Sequence, residues 1–512
     1  MKRQILLITV IAAAVMELID ISIVNVALSH MSGNLGATLE DTSWVITSYA
    51  IANVIIIPIT SFLAAKLGRR NYYIGSVILF TFFSFMCGQA TNIWMLVACR
   101  FIQGMGGGAL LSVSAAIVFE LFPREKQNVA SALFGVGVFL GPTIGPTLGG
   151  FITDNYSWPW IFYINVPIGI AVAVICSRLL GEPALKPTVG KIDWAGIFLL
   201  TIGVGSLQTV LERGQTDDWF SANYIVVLTA TAALGLILFV WWELRTKSPV
   251  VNLRVLKSKN LSIAATLTWV SGVGIFSSVY LTPVYAQRLL NFTPTQTGLL
   301  LLPGAILAIG GLLISARLLQ RGLSPIVMIT TGMGLFILFC WQLSGLDLDA
   351  GSRDISIPLI WRGVGLAIMT VPLSTLAVSS LEPKDMPQGT ALNNMMRQLG
   401  GSFGIATVNT YLAHRYAVHR TDLVSNITDG NPRVIERLSA YTNYFMGKGS
   451  GSFDAHRRAL GLLDAGVVRQ TNLLSYNDAY LLLGLFFILT LPLLLITSRK
   501  KGKKPAVALP DH

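Results

Sequence analysis

Three charged side chains stand in runs that are otherwise apolar. Glu17 and Asp20 lie in a run that opens at Ile5, and Arg100 lies in one that opens near Ile93. A spacing of i, i+3 puts both carboxylates on one face of a helix. At about 1.5 Å rise per residue they sit roughly 18–23 Å along their helix, and Arg100 sits about 10 Å along its own. For antiparallel helices crossing one membrane, these depths are compatible. A charge inside a membrane span marks a functional site by default. Removal from water and a neighbouring like charge favour the protonated acid, whereas an approaching guanidinium favours the carboxylate. A movement of Arg100 relative to Asp20 or Glu17 would therefore load or release a proton. The same carboxylates attract a cationic ligand, so proton and cation compete for one site. The structural alternative is a buried ion pair that only sets helix register. Two carboxylates for one Arg favour chemistry.

Other polar groups in apolar runs are read less sharply. Gln103, Arg362, Arg397, Asn25, Asn393 and Asn394 are candidates to line a substrate cavity. The two arginines could equally cap backbone carbonyls, and the asparagines, with Asn53, could join helices. His414 and His419 are five apart and read as solvated surface, not as a metal pair. Gly106-Gly107-Gly108 is not followed by Gly-Lys-Ser/Thr, so it is no phosphate-binding loop. With no ATPase motif, metal cluster or nucleophile–base pair, neither an enzyme nor a cofactor is expected. The energy must come from an ion gradient or from the substrate's own gradient. Cys87, Cys99, Cys176 and Cys340 all fall in apolar segments and form no disulfide framework.

One string stands out for its spacing: Gly137-Val-Phe-Leu-Gly141-Pro142-Thr-Ile-Gly145-Pro146-Thr-Leu-Gly149-Gly150. Each internal Pro removes a backbone donor and disturbs the preceding turn, which a membrane helix survives when its neighbours satisfy the freed carbonyls. Glycines every four residues form a smooth stripe on which another backbone can pack closely. The string reads as a kinked, close-packed helix on which two bundles can rock.

The elements that must position these residues are membrane helices. Of the 512 residues, 53% are hydrophobic and 12% charged, against about a quarter charged in soluble proteins. The net charge of +12 therefore reads as positive-inside bias and not as a nucleic-acid footprint. Spans of about 20 apolar residues are expected near 5–29, 44–65, 72–91, 93–119, 129–152, 160–180, 194–211, 222–243, 261–285, 297–317, 325–344, 356–380, 388–413 and 478–498. Lys2-Arg3 and the run behind them read as the first span, not as a removed signal.

Lys and Arg set the orientation. With the N-terminus inside, one set of loops holds Lys66, Arg69 and Arg70; Arg124 and Lys126; Arg178, Lys186 and Lys191; Arg245, Lys247, Arg254, Lys257 and Lys259; and Arg317 and Arg321. The tail adds Arg499, Lys500, Lys501, Lys503 and Lys504. Both termini are thus expected in the cytoplasm. Residues 414–477 then form an external, partly helical excursion, with a flexible point at Gly447, Gly449 and Gly451. Gln103-Gly104-Met105-Gly106 and Arg362-Gly363-Val364-Gly365 suggest an internal repeat. The expected division is a six-helix bundle over 1–180, an inserted helix pair with its linker over 181–260, and a second six-helix bundle over 261–512. Transporters built from repeats hold substrate between them near mid-membrane.

Several strings resemble one family. Residues 137–150 look like motif C of drug:proton antiporters. Leu18-Ile-Asp20-Ile-Ser22-Ile-Val-Asn25-Val-Ala27-Leu28 is similar to their first-helix motif, with Ser22 in place of Thr. Leu96-Val-Ala-Cys-Arg100-Phe-Ile-Gln103-Gly104-Met-Gly106 resembles motif B, and Trp158-Pro159-Trp160-Ile-Phe162-Tyr-Ile-Asn165-Val-Pro167 resembles the start of the sixth helix. Asn394-Met-Met-Arg397-Gln398-Leu-Gly400-Gly401 is similar to the thirteenth-helix pattern. Together they resemble fourteen-helix drug:proton antiporters of the major facilitator superfamily, EmrB/QacA type, over nearly the whole chain. The resemblance implies an all-α integral membrane fold of two six-helix bundles plus an inserted pair. It implies proton coupling through Arg100, and efflux of amphipathic or hydrophobic drugs from an inner membrane. It also implies a periplasmic adaptor and an outer-membrane channel. Motif A departs from the family: in Leu63-Ala64-Ala65-Lys66-Leu-Gly68-Arg69-Arg70, Ala65 replaces an Asp that helps latch the outward-open state. Gly68, Arg69 and Arg70 remain, free to pair with a helix end or lipid phosphates. A narrower export substrate, such as a siderophore, lipid or peptide, stays open as an alternative. A non-transporting membrane sensor is the least favoured reading.

Overall fold

A computed structural model describes residues 2–123, 126–181, 193–246, 249–379, 381, 385–428 and 430–496. Arg124, Lys186, Lys191, Lys247 and the tail cations from Arg499 onward lie outside the described residues. The helices are α1 (Lys2–Leu35), α2 (Leu39–Leu67), α3 (Arg69–Gly88), α4 (Ile93–Glu120), α5 (Gln127–Asn155), α6 (Trp160–Tyr163), α7 (Asn165–Leu179), α8 (Trp194–Arg213), α9 (Asn223–Arg245), α10 (Lys259–Leu289), α11 (Pro294–Gln320), α12 (Pro325–Leu343), α13 (Ser352–Ser379), α14 (Met386–Ser425), α15 (Pro432–Gly447) and α16 (Ser452–Thr490). Among the described residues there is no strand. Among the described residues, thirteen helical segments are long and apolar enough to cross a membrane. Thirteen of the fourteen expected spans coincide with them. The remaining one, near 388–413, lies within α14, which is helical but too polar to count on composition.

Local chemistry sets several boundaries. Thr38 caps α2 by accepting from the Asp41 amide at 3.0 Å, and Asn92 caps α4 by accepting from Met95 at 2.9 Å. Gly68 joins α2 to α3 at φ +83°, a backbone region that favours glycine. The two bonds beyond it hold this turn on other helices. Arg69 pairs with Glu120 at the end of α4, and Arg70 donates to the Ser177 carbonyl in the last turn of α7. The motif-A cations therefore meet helix ends.

The packing repeats. α4 lies against α2 and α3, and α13 lies against α11 and α12. α1 packs on α5 and α7, and α10 packs on α14 and α16. The two small-residue strings do equivalent work. Gly104 abuts the Tyr49 carbonyl on α2 and Gly106 the Ser76 carbonyl on α3; Gly363 abuts the Gly304 carbonyl on α11 and Gly365 the Gly332 carbonyl on α12. α8 and α9 pack on each other and attach through α8 to α2 and α14. α9 is peripheral, with Val227, Leu234, Ile237 and Trp241 exposed. Two apolar clusters join the repeats, both nearer the face where α1 begins. Ile57 meets Leu261, Ala264, Ala377 and Leu392, and Ala132 meets Ala308, Leu312 and Val371.

The glycine string runs along α1, the helix that carries both carboxylates. A Cβ at Gly137, Gly141, Gly145 or Gly149 would lie within 2.9 Å of an α1 atom, on Val15, Leu18, Ser22 and Ile23 in turn. α5 stays helical through Pro142 and Pro146, and Gly150 accepts from Thr153 Oγ1 at 3.1 Å. Beyond the spans, α14 continues to Ser425 and α16 begins at Ser452, so the excursion at 414–477 is largely helical. Gly449, at φ +87°, turns the chain between α15 and α16.

Gly141→Ala would drive a methyl into Leu18. Overpacking of this kind costs about 1–3 kcal/mol. The purified variant should melt several degrees below the parent, as read by intrinsic fluorescence. Gly461→Ala, where nothing lies within 4 Å, should not. Equal melting of both variants and the parent would refute the close α1–α5 contact.

Candidate functional site

Asp20, fully buried on α1, sits at the centre of a polar cluster made by three helices. Arg100 of α4 approaches to 2.5 Å, Nη1 to Oδ2. The other carboxylate oxygen accepts from Asn165 Nδ2 of α7 at 2.7 Å and from Gln103 Nε2 of α4 at 3.2 Å. Gln103 Oε1 in turn accepts from Arg100 Nη1 at 2.8 Å. Arg100 Nε donates to the Val45 carbonyl at 3.4 Å, and the guanidinium lies 4.1 Å from the Tyr49 ring centroid and 5.6 Å from that of Phe162. Asn165 is itself held by Ser84 Oγ at 3.1 Å. Each member is a hydrogen-bond partner or π-face for the charges, as burial of a charge demands.

Glu17, one turn earlier and 1% exposed, has a different environment. Its Oε1 accepts from Asn53 Nδ2 at 2.9 Å and from Tyr49 OH at 3.5 Å, both on α2. Its Oε2 has no hydrogen-bond partner among the described residues. The α4 glycines make this possible. A Cβ at Gly107 would strike the Tyr49 hydroxyl, and one at Gly108 would lie 2.8 Å from the Asn53 carbonyl. The two carboxylates thus share a face without sharing the arginine: Asp20 is ion-paired and Glu17 meets only neutral groups. Tyr49 touches both arrangements.

The other candidate residues lie elsewhere. Gln103 belongs to the Asp20 cluster. Asn25 is exposed, its Nδ2 3.5 Å from the Ser22 carbonyl. Arg362 is buried in the second repeat, with Nε and Nη1 lacking hydrogen-bond partners among the described residues. Asn393 Oδ1 and Asn394 Nδ2, on α14, are likewise buried without partners. Arg397 is half-buried, its carbonyl pressed against Gly272 of α10. No hydrogen bond links these second-repeat groups to Asp20 or Glu17 among the described residues.

Two features differ from the sequence reading. His419 is not solvated surface. It lies 2.7 Å from Asp478 of α16, whose carboxylate also takes Arg415 Nε at 2.5 Å. A spacing of five conceals this, because the partner is 59 residues away. Asn165 and Tyr49 were not singled out, although both ligate the carboxylate cluster. The available signal for Asn165 was an amide inside an apolar run just after Trp-Pro-Trp.

Removing one member of a buried pair strands the other charge, at a cost of roughly 3–5 kcal/mol. Arg100→Leu should therefore lower the melting temperature far more than Asp20→Asn/Arg100→Leu, in which the stranded carboxylate is also gone. A double variant as unstable as the sum of the two single variants would show no coupling between them.

A sequence model described as Major Facilitator Superfamily matches residues 10–405. The multidrug export protein EmrB of Escherichia coli K12 is 32% identical over 483 residues, covering 93% of this chain and 92% of its own. EmrB of Haemophilus influenzae is 34% identical over 423 residues, covering 82% of each chain. The fatty acid resistance protein FarB of Neisseria gonorrhoeae is 30% identical, covering 94% of this chain and 93% of its own. Among solved structures, the human organic anion transporter MFSD10 (TETRAN) superposes with a TM-score of 0.58 at 12% identity, over 95% of this chain and 99% of that one, a likeness of fold. With its repeated helix packing, its buried charges on α1 and α4, and this match across most of its length, the chain belongs to the major facilitator superfamily.

Proposed function

We propose that this protein is a proton-coupled exporter of amphipathic and hydrophobic compounds, a multidrug:proton antiporter and not an enzyme. One observation carries the coupling: a fully buried carboxylate, Asp20, paired to an equally buried Arg100. A buried ion pair adds little net stability, so its presence beside a second buried carboxylate favours a working role. A proton arriving on Asp20 cancels its charge and loosens its hold on Arg100. The guanidinium keeps the Gln103 and Val45 acceptors and the Tyr49 ring. Loss of that proton restores the pair. Glu17, beside it without a cation, is the second proton carrier. The relatives' names, multidrug export and fatty acid resistance, support an amphipathic cargo.

The remaining assignments follow from this reading. Residues 1–180 and 261–512 are the two moving bundles and 181–260 the inserted pair, with α14 counted as a fourteenth crossing. The face carrying Arg69, Arg70 and the start of α1 is cytoplasmic, in an inner membrane. The α1–α5 seam at Gly137, Gly141, Pro142, Gly145, Pro146, Gly149 and Gly150, with the turn at Gly68, Arg69 and Arg70, is the gating element. Asn25, Arg362, Asn393, Asn394 and Arg397 line the path of the cargo. The helical excursion at 414–477 is the surface for a periplasmic adaptor leading to an outer-membrane channel.

Inverted vesicles with an imposed pH gradient test the core of this reading. Lipophilic cations, uncharged drugs and weak acids should dissipate the gradient in the parent, and Asp20→Asn should abolish the response at least tenfold. A response that survives Asp20→Asn would move coupling away from Asp20. No response to any compound class would overturn the multidrug reading.

A further inference from the structure

The inserted pair brings a carboxylate that the Asp20 cluster does not use. α8 and α14 flank a cavity of about 270 Å³ whose walls include Leu211, Glu212, Gln215, Ser402, Ile405 and Asn409. Gln208, fully buried one turn before Glu212, braces the wall. Its Nε2 donates to Glu212 Oε1 at 2.9 Å and to Ser402 Oγ at 2.7 Å. Its own Oε1 is buried with no partner among the described residues. Trp219 links Gln215 to α14, donating from Nε1 to Gln215 Oε1 at 3.2 Å and to Thr410 Oγ1 at 3.1 Å. Arg213, next in sequence, is engaged elsewhere: with Asp217 at 3.1 Å, Ser43 at 2.5 Å and the Trp44 ring at 5.1 Å. Among the described residues, no cation lies within ion-pair distance of Glu212.

A carboxylate in a cavity without a counter-charge holds either a proton or a cation. The rest of the wall offers neutral acceptors on Gln215, Ser402 and Asn409 and apolar contact on Leu211 and Ile405. We infer that this cavity is a second binding site, taking the positively charged head of a monovalent organic cation against Glu212, apart from Asp20. At about 30 Å³ per water it has room for roughly nine waters. That is below the ~300 Å³ typical of sites enclosing a whole drug, so it accepts a compact head such as a phosphonium or quaternary ammonium. Its position joins α8 to α14, which gives the inserted pair a direct hold on the second repeat. The ligand class rests on the proposed export of amphipathic compounds, whereas binding needs no transport.

The test is equilibrium binding of tetraethylammonium, a compact monovalent cation, to the purified full chain in lipid nanodiscs. Glu212→Gln should weaken one class of site at least tenfold, and so should Ala406→Leu, which fills the cavity from α14. Asp20→Asn should leave that class intact. Melting temperatures check that each variant is folded, and Glu212→Asp, which keeps the charge, should retain part of the affinity. Undiminished binding in both Glu212→Gln and Ala406→Leu, or no binding in the parent, would overturn the inference. Loss in Asp20→Asn alone would place the cation in the first site and also overturn it. Glu212-dependent binding without any drug-driven proton movement in vesicles would instead sink the export reading and leave this site standing.

Discussion

The constraint on which the rest depends is the isolation of two opposite charges from water. Asp20 and Arg100 are both almost wholly buried, and a low-dielectric interior tolerates neither alone. Every nearby polar group is recruited accordingly. Asn165 and Gln103 supply donors to the carboxylate, Gln103 and the Val45 carbonyl supply acceptors to the guanidinium, and Tyr49 supplies a ring face. Ile164, between α6 and α7, keeps helical backbone angles, and Asn165 in the first turn of α7 reaches Asp20 at 2.7 Å. Three helices thus meet at one carboxylate, with α2 reached through Arg100, and a change in its charge is felt by all of them.

Close backbone approach is what allows this convergence. On α4 the glycines at 104, 106, 107 and 108 bring α2 and α3 against one helix and clear space for Tyr49 and Asn53. On α5 the four-residue glycine spacing seats α1 along its length. The second repeat uses the same device without the carboxylates. Gly272 on α10 and Gly400 on α14 each abut a backbone carbonyl of the other helix, and Gly363 abuts Gly304. The repeats share their packing, but among the described residues only the first holds a buried acid–base pair. The second holds Arg362, with buried nitrogens that have no hydrogen-bond partner among the described residues.

Much of this was legible in the sequence, and the reasons differ by residue. Apolar runs mark membrane helices because lipid demands about 20 such residues; thirteen of the fourteen expected runs meet that measure, and only the run within α14 falls short, where glycines and asparagines dilute its apolar character. Asp20 and Arg100 were legible because a charge in lipid is costly and rare. Their pairing was legible only as compatible depth. The split between Glu17 and Asp20 was not, since spacing places two residues on one face but does not say which neighbour each meets. The glycine stripe announced a close partner without naming α1. Glu212 escaped notice because it sits near a helix end beside Arg213, where a surface pair is the ordinary expectation. The Asp478 partner of His419 is remote in sequence, and periodicity carries no information about it.

The continuity of α14 has a mechanical consequence. Forty residues in one helix span about 60 Å, twice the ~30 Å hydrocarbon thickness of a bilayer. The same rod packs on α2 and α8, meeting α8 at Ser402, and is clasped to α16 through Arg415, His419 and Asp478 further along. α16, itself 39 residues long, packs against it as well as against α10 and α12, which anchors the pair in the second repeat. On a rod of this length, a small tilt at one end becomes a larger sweep at the other.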